Sequence, residues 1–359
     1  MQNELEWPGV KTSYRDRQAA RLENDTLRVT VLEEGGHIAE IADKASGVNP
    51  LWTPAWPSIE PSQYDPARHP EYGGGADAAL LAGIMGHNLC LDMFGGPSDE
   101  EAAAGLPVHG EVSTARFAIA REGSHGLTMH APLPEAQLAF ERRLDLADRA
   151  VRVRERVTNR SATDRAIGWT QHVTLGPPFV EHGRTQLRAS ARRGRVFEGT
   201  FGPADYLKPA TDFDWPNAPR VNGGTSDLRT FSSAPASSAY TVQQMDPAQE
   251  DAFVAAFSPA AGLTFGCVWR RADFPWLGLW EENRARPNAP WSGRAVTWGL
   301  EFGVSPFPET RRRMIERGRL FDTPTVRWIP ARQTVEVEYW LMLVPASAPP
   351  DVLTRPVHA

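Results

Sequence analysis

Apolar and polar residues alternate with a period of two along most of this chain. That pattern leaves room for little except strands with one buried face. The segment RLENDTLRVTVLEEGGHIAEIAD reads as three short strands, with turns at Asn24-Asp25 and Gly35-Gly36. In AVRVRERVTN, Val151, Val153 and Val157 fall on one face and Arg152, Arg154 and Arg156 on the other. The arginine stripe is expected to be a solvated face paired with carboxylates on neighbouring strands. Near the C-terminus, QTVEVEYWLMLVP alternates through Val335, Val337, Tyr339, Leu341 and Leu343 and reads as a central strand.

Helical signals are few. Ser98 followed by Glu101 forms a capping box on a short helix that ends by Gly105. A second short helix follows Pro308 and stops at Gly318. No composition shift marks a boundary, so the expectation is all-β: one large antiparallel β-supersandwich over residues 1–359, with its core at about 18–345. Residues 48–108 and 200–240 would be long loops, which in a compact β fold usually bind something or are disordered.

The 359 residues are 41% hydrophobic and 23% charged, with a net charge of −6. The acidic balance argues against nucleic acid or an anionic membrane as a partner. No apolar run approaches the roughly 18 residues of a membrane span. The polar start, MQNELEWPGVKTSYRDRQ, lacks the apolar region of a secretory signal. With Cys90 and Cys267 read as free thiols, a cytoplasmic location is expected.

Three positions carry the chemistry: His109 in GLPVHGEVSTARF, His172 in GWTQHVTLG, and the pair Glu281/Glu282 in FPWLGLWEENRARPNAPW. Imidazoles and a carboxylate can give and take protons near neutral pH. For both to work there, a Glu with a usual pKa of about 4.3 must be raised and an imidazolium near 6.5 kept protonated. Trp276 and Trp280 could raise the Glu by excluding water. Of the 12 tryptophans, Trp52, Trp56 and Trp291 sit among Pro and Gly in loops and are candidates to line a cleft.

These segments resemble the galactose mutarotase-like superfamily, which includes aldose 1-epimerases and glucose-6-phosphate 1-epimerases. Its opening pattern is matched by Asn24, Leu27, Val29, Val31, Gly35, Gly36, Ile38, Ile41, Gly47, Asn49 and Leu51. His109 falls on the family's first active-site histidine and His172 on its second. The resemblance implies a β-supersandwich that interconverts anomers of a monosaccharide or sugar phosphate without a cofactor. A Glu would take the proton of the anomeric hydroxyl, His172 would give one to the ring oxygen, and His109 would bind and polarise the ring. Counting back from Pro287 selects Glu282 as the base. The run of apolar residues before it selects Glu281, the preferred reading, and alternation sends the two to opposite faces. Where mutarotases carry a sugar-binding Arg, this chain reads GHNLCLD, so His87 and Asn88 become the substrate-binding candidates, with Trp52 and Trp291.

Rival readings are a carbohydrate-binding protein without turnover and a polysaccharide lyase. The lyase needs a Tyr or Lys base with an Arg or metal, and none of the 6 tyrosines lies beside the histidines. Two His and a carboxylate could also hold zinc, but no closely spaced ligand pair such as H-x-H occurs, and no metal is expected.

Overall fold

The computed structural model describes residues 11–356. They form two large antiparallel sheets. The larger has twelve strands; its middle runs, in spatial order, Ile38–Asp43, His87–Asp92, Arg165–Leu175, Val296–Gly303, Trp276–Asn283, Ser237–Met245 and Ala191–Val196. The three N-terminal strands extend one edge, and Arg327–Ile329 pairs with the start of Arg165–Leu175. The smaller has eight strands, with Thr334–Pro345 between Leu263–Arg270 and Ala150–Asn159 at its centre. The all-β sandwich expected from the alternation is what the chain forms.

Alternation explains how the sheets meet. Ile167, Trp169, Val173, Leu277, Leu279, Leu300 and Phe302 of the larger sheet face Val151, Val153, Val157, Phe265, Trp269 and Leu341 of the smaller in one continuous core. Trp269 stacks on Phe302 across the interface, with ring centroids 4.3 Å apart. The arginines opposite those valines line the outer face of the smaller sheet. Arg152 donates to Glu338 at 2.6 Å and Arg154 to Asp145 at 2.8 Å, as the stripe required.

The core also holds one polar network. Fully buried Glu155 accepts from Arg142 Nε at 2.9 Å, Trp169 Nε1 at 2.9 Å, Gln171 Nε2 at 2.6 Å and the Tyr339 hydroxyl at 2.9 Å. A charge this deep is tolerated only when paired and hydrogen-bonded, and here it is both.

The face of the larger sheet turned away from this core is not bare. The stretch 48–108 is not one long loop: it supplies the strand His87–Asp92, and on either side of that strand it folds over this face through the short helices Ala78–Gly83 and Asp99–Ala103. A second apolar cluster forms there from Trp52, Trp56, Tyr72, Leu80, Leu81, Phe94, Tyr240, Trp276, Trp280, Trp291 and Phe307. The Ser98 capping box is present as expected, and the later helix spans Arg311–Arg317 with Thr310 as its N-cap. The Ala78–Gly83 helix has Asp77 at its N-cap, but the Asp77 side chain makes no capping hydrogen bond. No helix among the described residues is long and apolar enough to cross a membrane.

Candidate active site

Directly paired residues on neighbouring antiparallel strands share a face. His172 pairs with Asn88 on one side and Glu301 on the other, and Glu301 pairs with Gly278. Asn88, His172, Glu301 and Gly278 therefore form a row across the larger sheet, on the face covered by the loops. Two residues along, on the same face, Trp280 lies opposite Tyr240 and Gly299. Gly278 is required here, because a Cβ would lie 2.2 Å from the Tyr240 hydroxyl oxygen.

Above this row is a cleft open to solvent, lined among others by His109, His172, Glu301, Tyr240, Trp280, Trp291, Arg286 and Asp77. His172 Nε2 lies 3.1 Å from Glu301 Oε1, and its Nδ1 lies 3.1 Å from Thr174 Oγ1. Burial pushes the Glu301 carboxyl up to about 8, with the adjacent Tyr240 hydroxyl acting weakly the other way. Burial, reinforced by the nearby His109, lowers His172 far below the ordinary histidine range. Both groups are thus driven toward neutrality, and the pair holds one proton between Oε1 and Nε2 near pH 7.

His109 enters from the loop after the second short helix, with its ring centroid 5.3 Å from that of His172. Its backbone is left-handed, φ +64°, and its Nδ1 donates to the Phe94 carbonyl at 2.5 Å. A carbonyl can only accept, so Nδ1 carries the hydrogen and Nε2 is an acceptor. The next residue, Gly110, has φ +79°, and a Cβ on it would lie 1.8 Å from the Leu91 carbonyl oxygen. Only glycine lets the loop close this tightly on the strand.

The carboxylate pair separates as alternation required. Glu282 is on the cavity face but is turned into its own loop: Oε1 accepts the amides of Ala285 at 2.7 Å and Arg286 at 3.2 Å. Its Oε2 lies 3.2 Å from Arg286 Nε. That ion pair holds the Arg286 guanidinium over Trp291 at 4.6 Å, Phe201 at 5.3 Å and Trp280 at 5.5 Å. Glu281, the preferred base on sequence, points between the sheets and is hydrogen-bonded by Ser237 and, at 3.1 Å, by the Tyr206 hydroxyl. The reason is the single-residue offset: with a period of two, counting from the apolar run puts the carboxylate on the wrong face.

His87 is corrected for the same reason. It lies in the core, where its Nε2 is 3.0 Å from Gln171 Oε1. Asn88 shares the His172 face, but it is completely buried beneath the cavity and neither of its amide atoms has a protein partner. Trp291 lines the cavity, whereas Trp52 stands behind it, stacked on Trp291 at 6.0 Å, with Trp56 edge-on at 5.1 Å. Among the described residues, no group of three or more His, Cys, Asp or Glu is disposed to hold a metal ion.

Sequence reasoning missed Glu301, Arg286, Asp77 and Tyr240. For Glu301 a signal existed. In VTWGLEFG it is the only charge in a strand buried on both faces, and such a carboxylate needs a partner.

No protein-family model matches the sequence, and no curated protein does. Solved structures do match the fold. A protein from Klebsiella pneumoniae proposed to be an aldose 1-epimerase is 13% identical, with a TM-score of 0.64 over 94% of this chain and 83% of its own. A galactose mutarotase-like protein from Lactobacillus casei is 14% identical, with a TM-score of 0.57 over 91% of this chain and 100% of its own. A galactose mutarotase related enzyme from Lactobacillus acidophilus is 13% identical, with a TM-score of 0.56 over 91% and 98%. The chain has the galactose mutarotase-like fold; at these identities the likeness is one of fold.

Proposed function

We propose that this chain is a sugar isomerase of the aldose 1-epimerase type, opening and reclosing a pyranose in the tryptophan-lined cavity. The observation that carries the reading is the hydrogen-bonded Glu301–His172 pair in the cavity wall, 3.1 Å apart, with His109 and Trp280 beside it. The fold shared with mutarotase-like proteins supports it.

Ring opening must remove the proton of the anomeric hydroxyl and supply one to the ring oxygen. In the ion-pair tautomer, the Glu301 carboxylate takes the hydroxyl proton as imidazolium His172 delivers its own to the ring oxygen. The C1–ring oxygen bond breaks and the C1 oxygen becomes the aldehyde carbonyl. Glu301 is left as the acid and His172 neutral, so the pair never carries net charge, which suits a site that excludes water. Rotation about C1–C2 and the reverse transfers close the ring to the other anomer. His109 Nε2 accepts from a ring hydroxyl, Arg286 donates to others, and the faces of Trp280 and Trp291 pack against the C–H face of the sugar. Both cysteines are buried and free, in keeping with a reducing compartment.

A non-catalytic sugar-binding reading draws on one fact: both ring nitrogens of His172 are engaged within the protein. Anomerically pure aldoses followed by polarimetry or by NMR exchange separate the two. Accelerated interconversion is expected; saturable binding with no acceleration on any sugar would replace the enzyme reading with the binding one.

A further inference from the structure

Where the strand His87–Asp92 ends, the fold gathers a charged cluster that does not line the cleft. Fully buried Asp92 accepts from two arginines at once. Arg165 donates from Nε at 2.8 Å and Nη2 at 2.7 Å, and Arg311 from Nη1 at 2.5 Å and Nη2 at 2.6 Å. These four charge-assisted bonds fill the acceptor sites of one carboxylate. Arg311 also donates from Nε to Glu101 at 2.7 Å. We infer that Arg311, acting through Asp92 and Glu101, is a positioning residue that fixes His109 in the cleft. This role rests on the isomerase reading of the cleft, but the geometry of His109 is measurable without any sugar.

Arg311 reaches His109 by two short routes. The first is Asp92, which lies within the segment that grips the histidine. The Leu91 amide donates to the His109 carbonyl at 3.2 Å, the His109 amide donates to Gly95 at 3.1 Å, and Nδ1 donates to Phe94 at 2.5 Å. Asp92 has a left-handed backbone, φ +81°, which turns the chain out of the strand toward those two carbonyls. A residue with a Cβ takes that conformation at a cost, and here two guanidinium forks hold it there. The second route is Glu101, midway along the loop between Gly95 and His109. Its Oε1 is bound by Arg311, and its Oε2 accepts the Ser98 amide at 3.0 Å to close the capping box. One side chain therefore fastens the loop at its root and at its middle. The chain leading into Arg311 is seated as closely, since a Cβ on Gly95 would lie 2.5 Å from the Pro308 carbonyl carbon.

The Phe94 bond keeps the hydrogen on Nδ1 and leaves Nε2 of His109 as an acceptor. A loop free to shift releases the ring from that carbonyl, and nothing then fixes the proton on Nδ1. Arg311 is also separable from the needs of the fold. Without it Asp92 keeps its fork to Arg165, so no buried carboxylate is left unpaired.

Imidazole nitrogen chemical shifts, read by NMR, report the tautomer of each histidine. His109 should be wholly Nδ1–H in the wild type and a mixture of tautomers in Arg311→Ala. Arg311→Lys, which keeps the charge but not the fork, should fall between. His37, whose Nε2 lies 3.0 Å from the Ser113 carbonyl, is the control and should not change. On a sugar that the wild type turns over, R311A should lower kcat/KM about tenfold, the scale of one charged hydrogen bond. On a His109→Ala background it should lower it no further, because the path through His109 is already gone. An unaltered His109 tautomer, a change shared by His37, or an equal loss of rate without His109 would each overturn the role. If no sugar is turned over, the isomerase reading fails and the tautomers alone decide: a mixture confined to His109 supports the positioning role, and pure Nδ1–H overturns it. If R311A does not fold, R311K carries the same comparisons.

Discussion

Replacing Glu301 by Gln should abolish the chemistry and make the protein more stable, an unusual pairing that follows from burial. Gln keeps the shape and a hydrogen bond to His172 but can neither take nor give a proton. Losing a general acid–base contribution slows a reaction by roughly 10² to 10⁴. The stability effect comes from the carboxyl being raised from 4.5 to about 8 in the folded chain. At pH 7 the unfolded chain ionises this group freely and the folded chain does not. The difference of about 2.5 pH units, at about 1.4 kcal/mol each, is roughly 3 kcal/mol against folding. The bond to His172 returns part of it, leaving an expected gain for E301Q of about 1–3 kcal/mol. Because the folded pKa lies above the unfolded one, Glu301 favours folding most below pH 4.5, and this contribution is lost as the pH rises toward 8. The gain should therefore appear at pH 7.5 and vanish near pH 4.5. Urea unfolding of both proteins at the two pH values measures it, and polarimetry on a turned-over sugar measures the rate. An E301Q protein less stable than wild type at pH 7.5 would show that Glu301 is ionised in the fold, and the shared-proton pair would be wrong. An undiminished rate would remove Glu301 from the chemistry altogether.

Other outcomes follow from the same geometry. The kcat/KM of the wild type should hold through neutrality and fall as pH rises above about 8, when the pair loses its shared proton; a fall beginning near 6.5 would point instead to a histidine of ordinary pKa acting alone. Arg286→Ala should raise KM about tenfold with kcat little changed, and Glu282→Gln should do the same more weakly by releasing the guanidinium it anchors at 3.2 Å; Glu281→Gln, facing the other layer, should leave both constants alone. In the core, Glu155→Gln should cost about 3–5 kcal/mol in urea unfolding, because it strands the buried Arg142 charge; a loss under 1 kcal/mol would mean that water reaches the network.

How much of this was legible beforehand is clearest residue by residue. The alternation of Val151, Val153 and Val157 with three arginines placed a strand, its buried face and its paired face, because a period of two leaves no other assignment. The Ser98 capping box was equally local. His109 and His172, singled out by the resemblance of their segments, line one cavity, the first carried by a closing loop and the second by a strand. Glu281 shows the limit. Sequence established that it and Glu282 face opposite ways, but the face that becomes the site is decided by which side the second sheet covers.

Glu301 and Arg286 lie beyond that limit for a different reason. Glu301 acquires its meaning from register: it is opposite His172 only because Val296–Gly303 is the neighbour of Arg165–Leu175, a pairing across more than a hundred residues. Arg286 is local in its ion pair with Glu282 and in its contacts with Trp280 and Trp291, but the turn that stacks them, and the third ring, Phe201, come only with the fold. Sequence by itself determined the strands, their faces and the kinds of side chain able to move protons, all set by local sterics and burial preference. Tertiary structure alone decided which carboxylate meets the histidine and how far its proton is held, since both depend on neighbours distant in sequence and on the water that packing removes.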